Sequence, residues 1–164
     1  MEVRKTLPIS KTCFVCGEDN PAGLHARFFV ENGAVKMPLT VRPEHCGYPN
    51  VVHGGVVIAA LDECMAWAAS RAIGRMCVTG DLTVRFLQRV PANKALTVSA
   101  EVAKAYRLLA HTTAALTDGE GAVYARAKGR FAPISAEETL WIDDGLLYDE
   151  GTERVFDHLR DNEG

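Results

Sequence analysis

The chain has 164 residues, the size of one domain with a real core. Its 48% apolar and 24% charged residues rule out a disordered, collagen-like or coiled-coil chain. The net charge of −3 is unevenly spread: residues 135–164 carry ten acidic and two basic side chains, against eleven acidic and sixteen basic before them. The density of Lys and Arg that a nucleic-acid binder needs is absent. The positive surplus of the body suits a phosphorylated, anionic ligand as well as it suits an ordinary solvated surface.

Met1 to Thr12 carries charges but no apolar stretch of the secretory kind, and the five cysteines are an odd number. A reducing cytoplasm is therefore the expected compartment. Cys13 and Cys16 have the spacing of a zinc or redox pair. A zinc site needs about four ligands, and no second pair or His cluster follows in sequence, so a structural role and no metal are expected.

From Leu24 the apolar residues alternate: Leu24, Ala26, Phe28 and Val30 on one face, His25, Arg27 and Glu31 on the other. Asn32-Gly33 is the pair favoured by a two-residue hairpin turn, after which Val35, Met37, Leu39 and Val41 resume the face. Pro38 lacks a ladder donor and places this hairpin at or near a sheet edge. A loop, Arg42 to His53, leads to an Ala-rich segment, Gly54 to Ile73, that is apolar on nearly every side. Asp62 and Glu63 at its middle argue against a membrane span, and Gly74 closes it as a helix.

Four strand-like runs follow. Leu82, Val84 and Phe86 alternate with polar residues, as do Leu96, Val98, Ala100 and Val102, while Leu108 to Thr117 is less clearly patterned. Asp118-Gly119-Glu120-Gly121 is a turn, and Val123, Ala125, Ala127 and Phe131 mark a last strand with Arg126, Lys128 and Arg130 opposite. Ser135-x-x-Glu138 matches a capping box and opens a short helix. Residues 145–164 form another helix or a loosely attached tail. The division is thus a domain over 1–134 and an acidic extension over 135–164. A curved antiparallel sheet around the apolar helix is the simple α+β solution, with a second copy burying what one sheet leaves open.

The chemistry lies in Gly47-Tyr48-Pro49-Asn50-Val51-Val52-His53-Gly54-Gly55 and, further along, Asp62-Glu63. A loop enters a glycine pair that opens a helix, where backbone N–H groups free of side chains can approach a polarised oxygen. Nine residues past His53, a carboxylate interrupts an apolar helix, and a buried acid costs stability unless partnered or put to use. Glu63 points about 100° away around the helix and is read as structural or supporting.

Tyr48-Pro49 through His53-Gly54-Gly55 to Asp62-Glu63 resembles the signature of hotdog-fold acyl-CoA thioesterases of the phenylacetate-pathway type. Cys13-x-x-Cys16-Gly17 with Asn20-Pro21-x-Gly23-Leu24 also recurs in that group, and the similarity runs weakly to about Pro133. The resemblance implies a hotdog fold and hydrolysis of a thioester to acid and CoA, with no cofactor beyond the substrate's own CoA. It implies Asp62 as nucleophile or general base, Gly54 as donor to the carbonyl oxygen, His53 beside the thioester, and Thr79 orienting the carboxylate or a water. Gly55 and Asn50 are candidate substrate contacts, and Arg126 and Lys128 candidate partners of CoA phosphates. It further implies a homodimer or dimer of dimers, with Asp62 facing the helix start of the other subunit.

One departure stands out. Family members often carry an amide six or seven residues before the His, where this chain has Cys46 and Gly47. That keeps open a non-catalytic acyl-CoA binding or sensing protein on the same fold. A hydratase ranks lower, because its His-plus-acid motifs are not evident.

Overall fold

A computed structural model describes residues 4–161. In chain order it holds β1 (Lys5–Thr6), β2 (Ile9–Ser10), β3 (Phe29–Glu31), β4 (Ala34–Thr40), a 3-10 turn (Pro43–His45), β5 (Cys46–Tyr48), β6 (Val51–Val52) and helix α1 (Gly54–Ile73). After it come β7 (Cys77–Phe86), β8 (Ala95–Tyr106), β9 (Leu109–Asp118), β10 (Val123–Pro133), α2 (Ala136–Asp144), β11 (Leu146–Leu147) and α3 (Asp157–Arg160). The main sheet is antiparallel with order β1-β3-β4-β8-β9-β10-β7, and α1 packs across it. This is the α+β hotdog arrangement, one long helix against an antiparallel sheet with short helices at the C-terminal end.

The sequence pattern explains the elements. Asn32 and Gly33 take φ of 51° and 78°, the left-handed pair that a tight hairpin turn requires, and set the register Glu31↔Ala34. Val35, Met37 and Leu39 then face the core at 4% exposure or less. The ladder with β3 ends at Lys36, so Pro38 sits where β4 is paired only with β8. The run before β3 is shorter as a strand than its alternation implies. Leu24 and Ala26 give their N–H groups to Phe14 and Val15 of the cysteine loop instead of to a strand partner. The less clearly patterned run becomes β9, with Ala110, Thr112, Ala114 and Leu116 buried.

Helix α1 ends where the sequence puts it: Gly74 has φ 78° and returns its N–H to the Ser70 carbonyl. Val57, Ala60, Leu61, Cys64, Met65 and Ala68 are buried. Ile58 and Asp62, one turn apart on another face, are not. No described helix is long and apolar enough to cross a membrane. From Ser135 to Asp161 the segment is docked, not loose. Ser135 caps α2 in a full capping box, β11 pairs with β2, and fully buried Phe156 stacks on Trp67 at 6.2 Å.

Asp118 closes the β9–β10 turn by accepting the N–H groups of Glu120 and Ala122, each at 2.9 Å, with Lys94 at 3.1 Å. Lys94 first, and the two N–H groups after it, hold its carboxyl at about 2, below the usual 3.8. A depressed carboxylate stabilises above its unfolded pKa and loses that contribution as pH falls through the folded one. Urea midpoints measured stepwise from pH 4 to pH 2 are expected to fall less steeply in Asp118→Asn than in the parent. Equal slopes would remove this account of the turn.

Candidate functional site

The β5–β6 hairpin and the start of α1 form the first half of the site. Pro49 and Asn50 make its turn, and Asn50, with φ 56°, takes its left-handed position. That conformation explains an amide there: Asn50 is exposed and does not line the neighbouring cavity. His53 caps α1, its Nδ1 accepting the Gly55 N–H at 2.9 Å. An accepting Nδ1 leaves the proton of a neutral ring on Nε2, so His53 has one further donor to offer. Its carbonyl takes the N–H groups of Val56 at 2.9 Å and Val57 at 3.2 Å.

These bonds decide which helix-start donor is available. Gly55, Val56 and Val57 are used internally, and Gly54 is the first-turn N–H with no partner among the described residues. Gly54 lines an apolar cavity of about 620 Å³ together with Gly47, Tyr48, His53, Phe86 and Arg89. Gly55, expected at the substrate, has its N–H in the cap.

Asp62 forms the second half. Thr79 donates its hydroxyl to Asp62 Oδ1 at 2.7 Å, so the two residues named from sequence meet. A bulge makes this possible. In the β7–β10 ladder Asp81 faces Arg130 and Thr79 faces Phe131, which leaves Gly80 as an extra residue. Positions 79 and 81 share a face in a regular strand; the extra residue turns Thr79 to the side of buried Phe131, toward α1. Asp81 stays outside, paired with Arg130.

Asp62 and Gly54 do not meet within one chain. Eight residues along a helix are a rise of about 12 Å, too far for both to touch one carbonyl. Asp62 and exposed Thr79 instead open toward β7, the last strand of the sheet order. Val78 and Phe86 are 55% and 48% exposed there, an apolar edge that a lone chain leaves uncovered.

Arg126 and Lys128 lie on the opposite face of the sheet. With Arg85, Ser99 and Thr113 they line a second cavity of about 700 Å³. Arg85 and Phe86 are neighbours on β7, so the basic cavity and the apolar one sit on either side of the same strand end.

Glu63 turns away from Asp62, into the cysteine loop. Its Oε1 lies 3.7 Å from Cys13 Sγ and 4.0 Å from Cys16 Sγ. Burial first, and the neighbouring Cys13 after it, push its carboxyl up to about 8. The Cys16 thiol, hydrogen-bonded to the Cys13 sulfur, holds Cys13 down at about 5 and is itself pushed well up. In the sequence the pair and the acid lie 47 or more residues apart and carry no joint signal until the fold is known.

Residues 49–125 match the sequence model of the thioesterase superfamily. No curated protein matches the chain. Among solved structures, a thioesterase superfamily protein superposes with a TM-score of 0.66 at 23% identity, over 74% of this chain and 60% of its own. The PaaI protein of the E. coli phenylacetic acid degradation operon gives 0.62 at 21% identity, over 68% and 81%. A Streptococcus mutans protein solved with acetyl CoA bound gives 0.59 at 17% identity, over 64% and 84%. These likenesses show the hotdog fold, and the matched stretch 49–125 is similar to the thioesterase superfamily.

Proposed function

We propose that the protein hydrolyses an acyl-CoA thioester to a free acid and CoA, in a site made by two copies of the chain. The observation that carries this is the pair of separated halves. A carboxylate is fixed by Thr79 at an uncovered strand edge, and the Gly54 N–H is left free at a helix start. Two copies related by a two-fold axis would bring Asp62 of one to Gly54 of the other and cover the apolar edge. The thioester oxygen would sit on the Gly54 N–H, where the helix dipole favours developing negative charge. Asp62 would attack the carbonyl carbon or take a proton from the attacking water. His53 Nε2–H would face the carbonyl or the departing thiolate. The acyl chain suits the apolar cavity, and CoA phosphates suit Arg85, Arg126 and Lys128 across the strand end. Such hydrolysis needs no redox group or metal at the thioester.

A binding protein without turnover is the second reading. Cys46 and Gly47 offer no amide, and Asn50 is occupied as a turn residue. A thiol-release screen over short, long and aromatic acyl-CoAs, run with sedimentation of the same sample, separates the two. Release by a dimeric or larger species is the expected result. Saturable binding with no release of any substrate would establish the second reading instead.

A further inference from the structure

We propose that Cys13, Cys16 and Glu63 form a binding site for a single zinc-type divalent cation, tying the N-terminal loop to helix α1. The turn is built to present two sulfurs. Gly17 returns its N–H to the Cys13 carbonyl at 2.8 Å, and a Cβ on Gly17 would lie 2.5 Å from Cys13 N and O, so only glycine closes it. The Val15 N–H points at Cys13 Sγ at 3.3 Å and the Ser10 N–H at Cys16 Sγ at 3.4 Å. Backbone donors thus fix the position of both sulfurs.

The third ligand comes from the helix. One oxygen or sulfur atom from each of the three residues lies within 4.8 Å of the others. A tetrahedral cation with bonds of about 2.3 Å to sulfur and 2.0 Å to oxygen has ligand–ligand edges of roughly 3.5–3.8 Å. The separations of 3.7 and 4.0 Å from Glu63 Oε1 to the two sulfurs need a shift of only a few tenths of an ångström. Charge points the same way. None of the ion pairs among the described residues involves Glu63, and its side-chain partners are two thiols. A bound cation would supply the counter-charge that this acid lacks among its protein neighbours.

The fourth position is open. Cys16 and Glu63 line a cavity of about 200 Å³ together with Ser10, Ser70 and Cys77, with room for a water to complete the set. Two thiolates and one carboxylate suit zinc and disfavour calcium or magnesium, which prefer oxygen alone. The site adjoins Asp62 in sequence and faces away from it, so it does not depend on the thioesterase reading.

The test is a titration of Co(II) into the reduced, metal-stripped full chain, followed by absorption. One equivalent is expected to produce thiolate-to-cobalt charge-transfer bands and tetrahedral visible bands, both erased by Zn(II). Cys13→Ser and Cys16→Ser should lose the charge-transfer signal, and Cys46→Ser should keep it. Glu63→Gln should retain the thiolate bands with affinity lowered by more than about 10-fold. The wild-type and Glu63→Gln titrations decide the question even if the cysteine variants fail to fold. Absence of the bands in wild type, their persistence in both serine variants, or unchanged affinity in Glu63→Gln would overturn the site. So would a Cys13–Cys16 disulfide that, once reduced, takes up no cobalt.

Discussion

Asp62→Asn is expected to abolish thiol release, lowering turnover by about 10²–10⁴-fold, the usual worth of a positioned acid–base group. The amide keeps the size of the carboxylate and can still accept the Thr79 hydroxyl, now at 2.7 Å, so the fold should survive. What it loses is the negative charge and the basic lone pair, which either role of Asp62 requires. Thr79→Val probes the same bond from the other side. Loss of a hydrogen bond to a charged group, worth about 1.5–3 kcal/mol, corresponds to a drop of roughly 10–100-fold in turnover. Glu63→Gln is the control for the neighbouring acid, which faces the cysteine loop and should leave thiol release largely intact. Matched thermal melts for all three variants separate lost chemistry from lost structure. Full turnover in Asp62→Asn, or a loss in Glu63→Gln that equals it, would move the carboxylate role elsewhere.

The parts of this arrangement that local chemistry dictates were legible in the sequence. Asn32-Gly33 announces its turn because both residues must accept positive φ. The Gly54-Gly55 pair opens α1 and Gly74 caps its end, and Ser135 with Glu138 makes the capping box it spells. Thr79 is a different case. The family resemblance assigns it to the carboxylate, yet alternation alone puts it on the outer face with Asp81; only the extra residue Gly80 turns it inward. Bulges arise from pairing between distant strands and leave little local trace. The helix cap is a similarly fine detail, since the imidazole of His53 claims the Gly55 N–H. The docked extension was half legible: its capping box is local, whereas Phe156 against Trp67 is a contact across the chain. The Cys13–Cys16–Glu63 cluster was the least legible, because it depends on which face of α1 the loop covers.

Gly54 supplies the other large effect, through a pair of substitutions that separate its N–H from its small size. Gly54→Pro should reduce turnover by about 10²–10³-fold, the measured scale for deleting one oxyanion donor. Gly54 is the first residue of α1, the position where proline is tolerated because its missing N–H has no intrahelical partner. His53 before it has φ −58° and ψ 133°, the extended conformation that a residue preceding proline must adopt. Gly54→Ala keeps the N–H and adds a methyl group whose nearest neighbour, Phe86 Cζ, lies at 3.5 Å, an ordinary contact. Alanine should therefore retain most of the turnover while proline does not, with both variants melting near the parent. If alanine is as damaging as proline, the glycine is there for space and the oxygen is held by another group. If proline is harmless, no anion develops at the start of α1, and the two-copy site loses the half that Gly54 contributes.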